Sequence, residues 1–140
     1  MSRKERVETF FNQLRLETLD SLGEFYASEV VFEDPITRLD GVQALTDYYR
    51  AMYKEVLEIS FAFTSMVEEG DSLMAAWTMR LRTRKLAGQR PIVVEGISHL
   101  RFDGERVVYH RDAFDMGAMV YEHIPILGWL IRLVKSLFKH

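Results

Sequence analysis

Between residues 3 and 16 the apolar positions Val7, Phe10, Phe11 and Leu14 return at helical spacing against polar Glu5, Glu8 and Gln13, which predicts an amphipathic helix. Thr18 is placed to cap a shorter second helix through Leu19, Leu22, Phe25 and Tyr26, with Asp20 in its first turn, where negative charge suits the helix dipole. Val30, Val31 and Phe32 predict a short strand that Pro35 must end or push to an edge, because proline has no N–H for the ladder. Asp40-Gly41 then opens a third helix with Val42, Leu45, Tyr48, Tyr49 and Met52 on its buried side. Beyond it the pattern turns to strands. Leu57 to Val67 and Leu73 to Leu86 are joined across Glu69-Gly70-Asp71, and the turn signals Gly88 and Pro91 lead into Ile92 to Phe102.

The stretch from Glu95 to Asp115 carries the clearest turn. Asp103-Gly104 suits a tight hairpin, since glycine tolerates positive φ and aspartate bonds its own backbone, and both flanks are rich in β-branched and aromatic residues. Alternation puts Ser98, Leu100 and Phe102 on one face and Ile97, His99 and Arg101 on the other; on the second arm Val108, His110, Asp112 and Phe114 fall together. An imidazole and a carboxylate between Val108 and Phe114 make that face a candidate site, the alternative being a salt-bridged sheet edge. Helices followed by a run of strands predict an α+β fold: a mostly antiparallel sheet curved over three helices, leaving a cone-shaped hollow suited to a ligand.

Composition narrows the functional classes. With 140 residues, 48% apolar and 12% aromatic, the chain suffices for one domain with a proper core. A net charge of −3 with dispersed basic residues argues against a nucleic-acid partner. The absence of cysteine excludes disulfides, thiolate metal ligands and cysteine nucleophiles. His99, His110, His123 and His140 lack metal-binding spacing, and there is no glycine-rich phosphate loop, so neither a metal nor a nucleotide cofactor is expected. MSRKERVETF lacks the apolar core of a signal peptide, which makes a cytoplasmic location the default expectation.

The element order and two short motifs, VVFEDPI from Val30 to Ile36 and HRDAFD from His110 to Asp115, resemble the nuclear transport factor 2-like superfamily, whose members include SnoaL-like polyketide cyclases, ketosteroid isomerases and limonene epoxide hydrolases. The resemblance runs to about Asp115. It implies a single SnoaL-like domain over 1–140, of the cystatin-like cone type with a mixed sheet, in which 116–140 is a C-terminal helical extension. By this resemblance Asp34 takes the place of the isomerase carboxylate that shuttles a proton beside a ketone, and Asp112 that of the hydrolase aspartate that activates water. The isomerase oxyanion hole pairs a tyrosine with a protonated aspartic acid. Phe10 and Ser98 match those places here, and phenylalanine donates no hydrogen bond. Arg80-Leu81-Arg82 matches the hydrolase segment that supplies an arginine and a second acid, so the arginine is kept and the acid is not.

These readings converge on acid/base chemistry of isomerase, hydrolase or cyclase type on a small hydrophobic molecule. Asp34 is the expected base, Asp112 the acid/base or water-positioning group, and His110 and Arg80 tune them, while Ser98, Leu100, Phe114 and Phe10 form walls. The alternatives are a pocket that binds a lipid-like ligand without transforming it, and an interaction module. Trp77, Met79 and Leu81 are expected to pack a second subunit, because outer sheet faces in this superfamily form homodimers. From Tyr121 to His140, Trp129, Leu130, Leu133, Val134, Leu137 and Phe138 make a broad apolar face beside Arg132, Lys135 and Lys139. Such a helix serves as a lid on the hollow, a dimer element or a peripheral membrane contact.

Overall fold

The computed structural model describes residues 1–84, 87–115 and 132–138. Helix α1 (Arg3–Gln13) starts at Ser2, whose hydroxyl accepts from the Glu5 amide at 3.1 Å. It buries Val7 and Phe11, with Leu14 just beyond its end. The second helix is a 3-10 helix, Leu16–Glu24. It begins two residues before the expected cap: Thr18 sits inside the first turn, and its hydroxyl accepts from the Arg15 amide at 3.0 Å. Phe25 and Tyr26 are not helical as expected; Tyr26 opens β1 (Tyr26–Glu33), which is longer than Val30 to Phe32.

After β1 the chain turns through Pro35 into β2 (Arg38–Asp40), a strand too short to announce itself in sequence, and then enters α2 (Val42–Tyr53). Strands β3 (Val56–Glu69), β4 (Ser72–Thr83), β5 (Ile92–Asp103) and β6 (Arg106–Phe114) follow. They form one six-stranded sheet in the order β2-β1-β6-β5-β4-β3. All neighbours are antiparallel except β1 and β6, whose parallel pairing joins the two ends of the described fold. Pro35 therefore ends β1 without making it an edge. Gly70 and Gly104 adopt φ of 58° and 62° at the two tight turns anticipated there.

Alternation along β5 is regular: Ile92, Val94, Ser98, Leu100 and Phe102 face inward, and Val93, Glu95, Ile97 and Arg101 outward. On β6 it breaks. The register shifts between Arg101 and Phe102, so Phe102 pairs with Val107 and Arg101 with Tyr109, leaving Val108 as the extra residue of a bulge. Val107 consequently turns into the core, and Val108 does not share the face of His110 as plain alternation implied. Helix α1 packs on β3, where Asn12 accepts from the Phe61 amide at 2.9 Å and donates to the Phe61 carbonyl at 3.1 Å. Helix α2 packs on β1 and the 3-10 helix. No helix among the described residues is long and apolar enough to cross a membrane.

Candidate active site

Between the helices and the inner sheet face lies a hollow of about 390 Å³. One side is lined by Phe32 from β1 and by Tyr48, Tyr49 and Tyr53 from α2; the other by Phe61, Phe63, Trp77 and Phe114 from the sheet. Phe11 stands between them, 5.5 Å from the His110 ring and 6.1 Å from Phe61. Both candidate acids, Asp34 and Asp112, line this same hollow, as do Ser98 and Phe114.

Register explains the deep end. Ser98 and Asp112 are directly opposed on β5 and β6, and His110, two residues before Asp112, shares its face. Ser98 Oγ donates to Asp112 Oδ1 at 2.5 Å, and His110 Nε2 reaches the same oxygen at 2.6 Å. Behind them Trp77 Nε1 donates to Ser98 Oγ at 2.8 Å, Tyr26 O–H lies 2.8 Å from His110 Nδ1, and Tyr49 O–H lies 3.0 Å from Tyr26 O–H. In the neutral imidazole that donates from Nε2 to an Asp112 carboxylate, Nδ1 accepts from Tyr26 and Tyr26 accepts from Tyr49. Every proton in the chain is thus directed toward Asp112 Oδ1, while Oδ2 carries no hydrogen bond among the described residues. Burial pushes the Tyr26 and Tyr49 phenols well above their ordinary range, so both remain donors.

A bare strip of sheet makes room for this arrangement. Gly96 is the cross-strand partner of both Trp77 and Phe114, and a Cβ there would lie 2.3 Å from Trp77 Cη2. The indole therefore lies over glycine backbone, which is what a glycine inside a strand signals.

Near α2, Asp34 is held differently. Its Oδ1 accepts from the amides of Ile36 at 2.8 Å and Thr37 at 2.9 Å, an Asx turn around Pro35, and its Oδ2 accepts from Tyr48 O–H at 2.5 Å. Burial first, and the bond to Asp34 next, hold the Tyr48 phenol far above its usual range. Tyr53 forms no hydrogen bond among the described residues; burial pushes its phenol up to about 12, with Arg15 acting in the opposite sense.

The structure separates the remaining sequence candidates. His110 is 1% exposed and touches the hollow only through Asp112. Leu100 is fully buried in the core beneath the site and lines nothing. Phe10 points away from the hollow and stacks on Phe25 at 4.0 Å; the wall position belongs to Phe11, one residue further round the helix. Arg80 is exposed on the opposite sheet face, beside Glu58 and Pro91, because β4 puts odd-numbered residues inward. For the same reason Trp77, Met79 and Leu81 are buried and line the hollow, so they are not the subunit-packing face expected of them. His99 faces outward and is half-buried, and Asp115 is exposed and pairs with Lys135 at 2.9 Å. Of the C-terminal extension, residues 132–136 are helical, with Leu133, Val134, Leu137 and Phe138 largely exposed; its other residues lie outside those described. Sequence reasoning missed Phe11, Tyr26, Tyr53 and Gly96, and placed Tyr48, Tyr49 and Trp77 without a role in the site.

The element order, the parallel closure of β1 on β6 and the inner-face hollow define an α+β domain of the nuclear transport factor 2-like, ketosteroid isomerase-like type. The model of the SnoaL-like domain matches residues 7–110, and the chain belongs to that family. No curated protein matches it. Among solved structures it is similar to a hypothetical protein with a ketosteroid isomerase-like fold from Catenulispora acidiphila in complex with trimethylamine (13% identity, 87% of this chain and 91% of the other, TM-score 0.72). It is also similar to a candidate polyketide cyclase from Acidithiobacillus ferrooxidans (16%, 89% and 95%, 0.71). A third similar structure is a limonene epoxide hydrolase-like epoxide hydrolase from M. tuberculosis (21%, 96% and 96%, 0.68). At these identities the likeness is one of fold.

Proposed function

We propose that the hollow carries out acid/base chemistry on a small hydrophobic molecule, with Asp112 as the group that takes up and returns the proton. The observation that carries this reading is the lopsided bonding of Asp112. One oxygen is fixed by Ser98 and His110, and the other is left with its lone pairs in an apolar chamber. His110 acts through Asp112, holding the carboxylate in one orientation, and is itself held by Tyr26. Asp34, whose lone pairs already serve a turn and Tyr48, sets the local charge and shape rather than moving a proton. The phenol of Tyr53, unbonded among the described residues, is available to a polar atom of the substrate.

The competing reading is binding without turnover. It draws on the number of donors already spent within the protein, Trp77, Ser98 and Tyr48 among them. Asp112→Asn decides between the two, assayed on a panel of small hydrophobic ketones, epoxides and amines. The substituted amide keeps an acceptor oxygen for Ser98 and His110, so binding of a neutral apolar probe should persist. Under the catalytic reading turnover falls by about 10²-fold or more. Equal turnover in both proteins removes Asp112 from the chemistry, and probe binding with no compound converted by the unaltered chain favours simple binding.

A further inference from the structure

We infer that the hollow selects a hydrophobic ammonium cation, held between aromatic faces and the carboxylates of Asp34 and Asp112. The inference rests on the reading above for the identity of the site and adds the chemical class of what enters it.

The first support is charge. Among the described residues lining the hollow there is no lysine, arginine or histidine, whereas Asp34, Asp112 and Glu55 are all present. Glu55 is engaged in an interaction of its own, which leaves the two aspartates to face a ligand. Asp34 receives two backbone amides and a phenol, and Asp112 receives a serine hydroxyl and the His110 imidazole, so no lysine or arginine is bonded to either carboxylate among the described residues. Arg15 makes its charge felt at Tyr53, but its guanidinium donates to the carbonyls of Asn12 and Leu14.

The second support is the wall. Aromatic side chains make up much of it in two groups of contacting rings, Phe32, Tyr49 and Tyr53 in one and Phe61, Trp77 and Phe114 in the other. Ring faces attract a cation most strongly where water is excluded. The same walls offer an anion one unspent donor among the described residues. The indole N–H and the hydroxyls of Ser98 and Tyr48 already donate to protein acceptors, and Tyr53 is left as the lining phenol without a bond. A carboxylate or phosphate entering here would face two acids with one donor to offset them.

The test uses the full chain at neutral pH and three probes: phenethyltrimethylammonium, its neutral carbon isostere 3,3-dimethylbutylbenzene, and the slightly smaller anion 3-phenylpropionate. Binding is read from the fluorescence of Trp77 in the wall, with Trp77→Phe as the control for Trp129. The cation is expected to bind about tenfold more tightly than its isostere, with the anion weakest. Asp34→Asn keeps the acceptor for the turn amides; it should weaken the cation by about threefold and leave the neutral probe unchanged. Equal or tighter binding of the neutral isostere, or a preference for the anion, overturns the inference. The two proposals fail separately. If the isostere wins while Asp112→Asn still stops turnover, acid/base chemistry stands on a neutral substrate. A cation preference with turnover indifferent to Asp112 reverses that outcome.

Discussion

The two aspartates of the hollow are the same residue supported in opposite ways. Asp34 is held mainly by the turn it belongs to, within three residues of chain, with only Tyr48 added from α2. Asp112 is held by side chains that trace back through β4, β5, β6, β1 and α2, so its geometry exists only once the sheet has closed. A locally supported acid tolerates change around it. An acid at the end of a long chain of side-chain bonds does not, and in return its reactive oxygen is held in place.

The contrast breaks most severely at His110. Replacing it by leucine strips Asp112 of a donor, leaves the Tyr26 hydroxyl facing an apolar group and disturbs the ring contact with Phe32 at 4.9 Å. Chemical denaturation should register a loss of about 2–4 kcal/mol. Gly96→Ala comes next, because its methyl group must displace the indole that donates to Ser98. We expect a loss of about 1–3 kcal/mol and a shifted tryptophan emission, and an unchanged spectrum would contradict the packing described.

At Asp34 the expected effect is smaller and depends on the replacement. Alanine removes the acceptor for the Ile36 and Thr37 amides and should cost about 1–2 kcal/mol, whereas asparagine retains it and should cost under about 0.5 kcal/mol. A large loss from asparagine would show that Asp34 depends on distant support after all. The mildest test is alkaline titration. Burial raises the Tyr26 and Tyr49 phenols in the folded protein above the ordinary tyrosine value of about 10, so the folded state keeps protons that the unfolded state releases. Their contribution to stability is complete below pH 10 and is lost as pH rises beyond it. Tyr49→Phe should flatten this limb in urea midpoints measured across that range.

Legibility followed the same division. The Asp34 turn could be suspected from Asp-Pro alone, and alternation on β5 put Ser98 inward, since both are short-range properties of the chain. Phe10 enters the candidate site only by its match to the isomerase tyrosine, and it shares one helical stripe with Phe11. Only the contacts with Phe25 on one side and Phe61 on the other separate the two. Arg80 enters the candidate site by its match to the hydrolase segment; its strand alternates basic with apolar residues, and nothing local says which set faces the helices.

By itself the sequence determined the α+β class, the tight turns at Gly70 and Gly104, and the shared face of His110 and Asp112, because helical and strand periodicities and positive-φ turns are written in residues a few positions apart. The tertiary structure alone decided which face of β4 turns inward, where the Val108 bulge resets β6, and which tyrosines reach His110. Those outcomes depend on pairing between segments as distant as Tyr26 and Val107, where the free energy of closing the core outweighs any local preference.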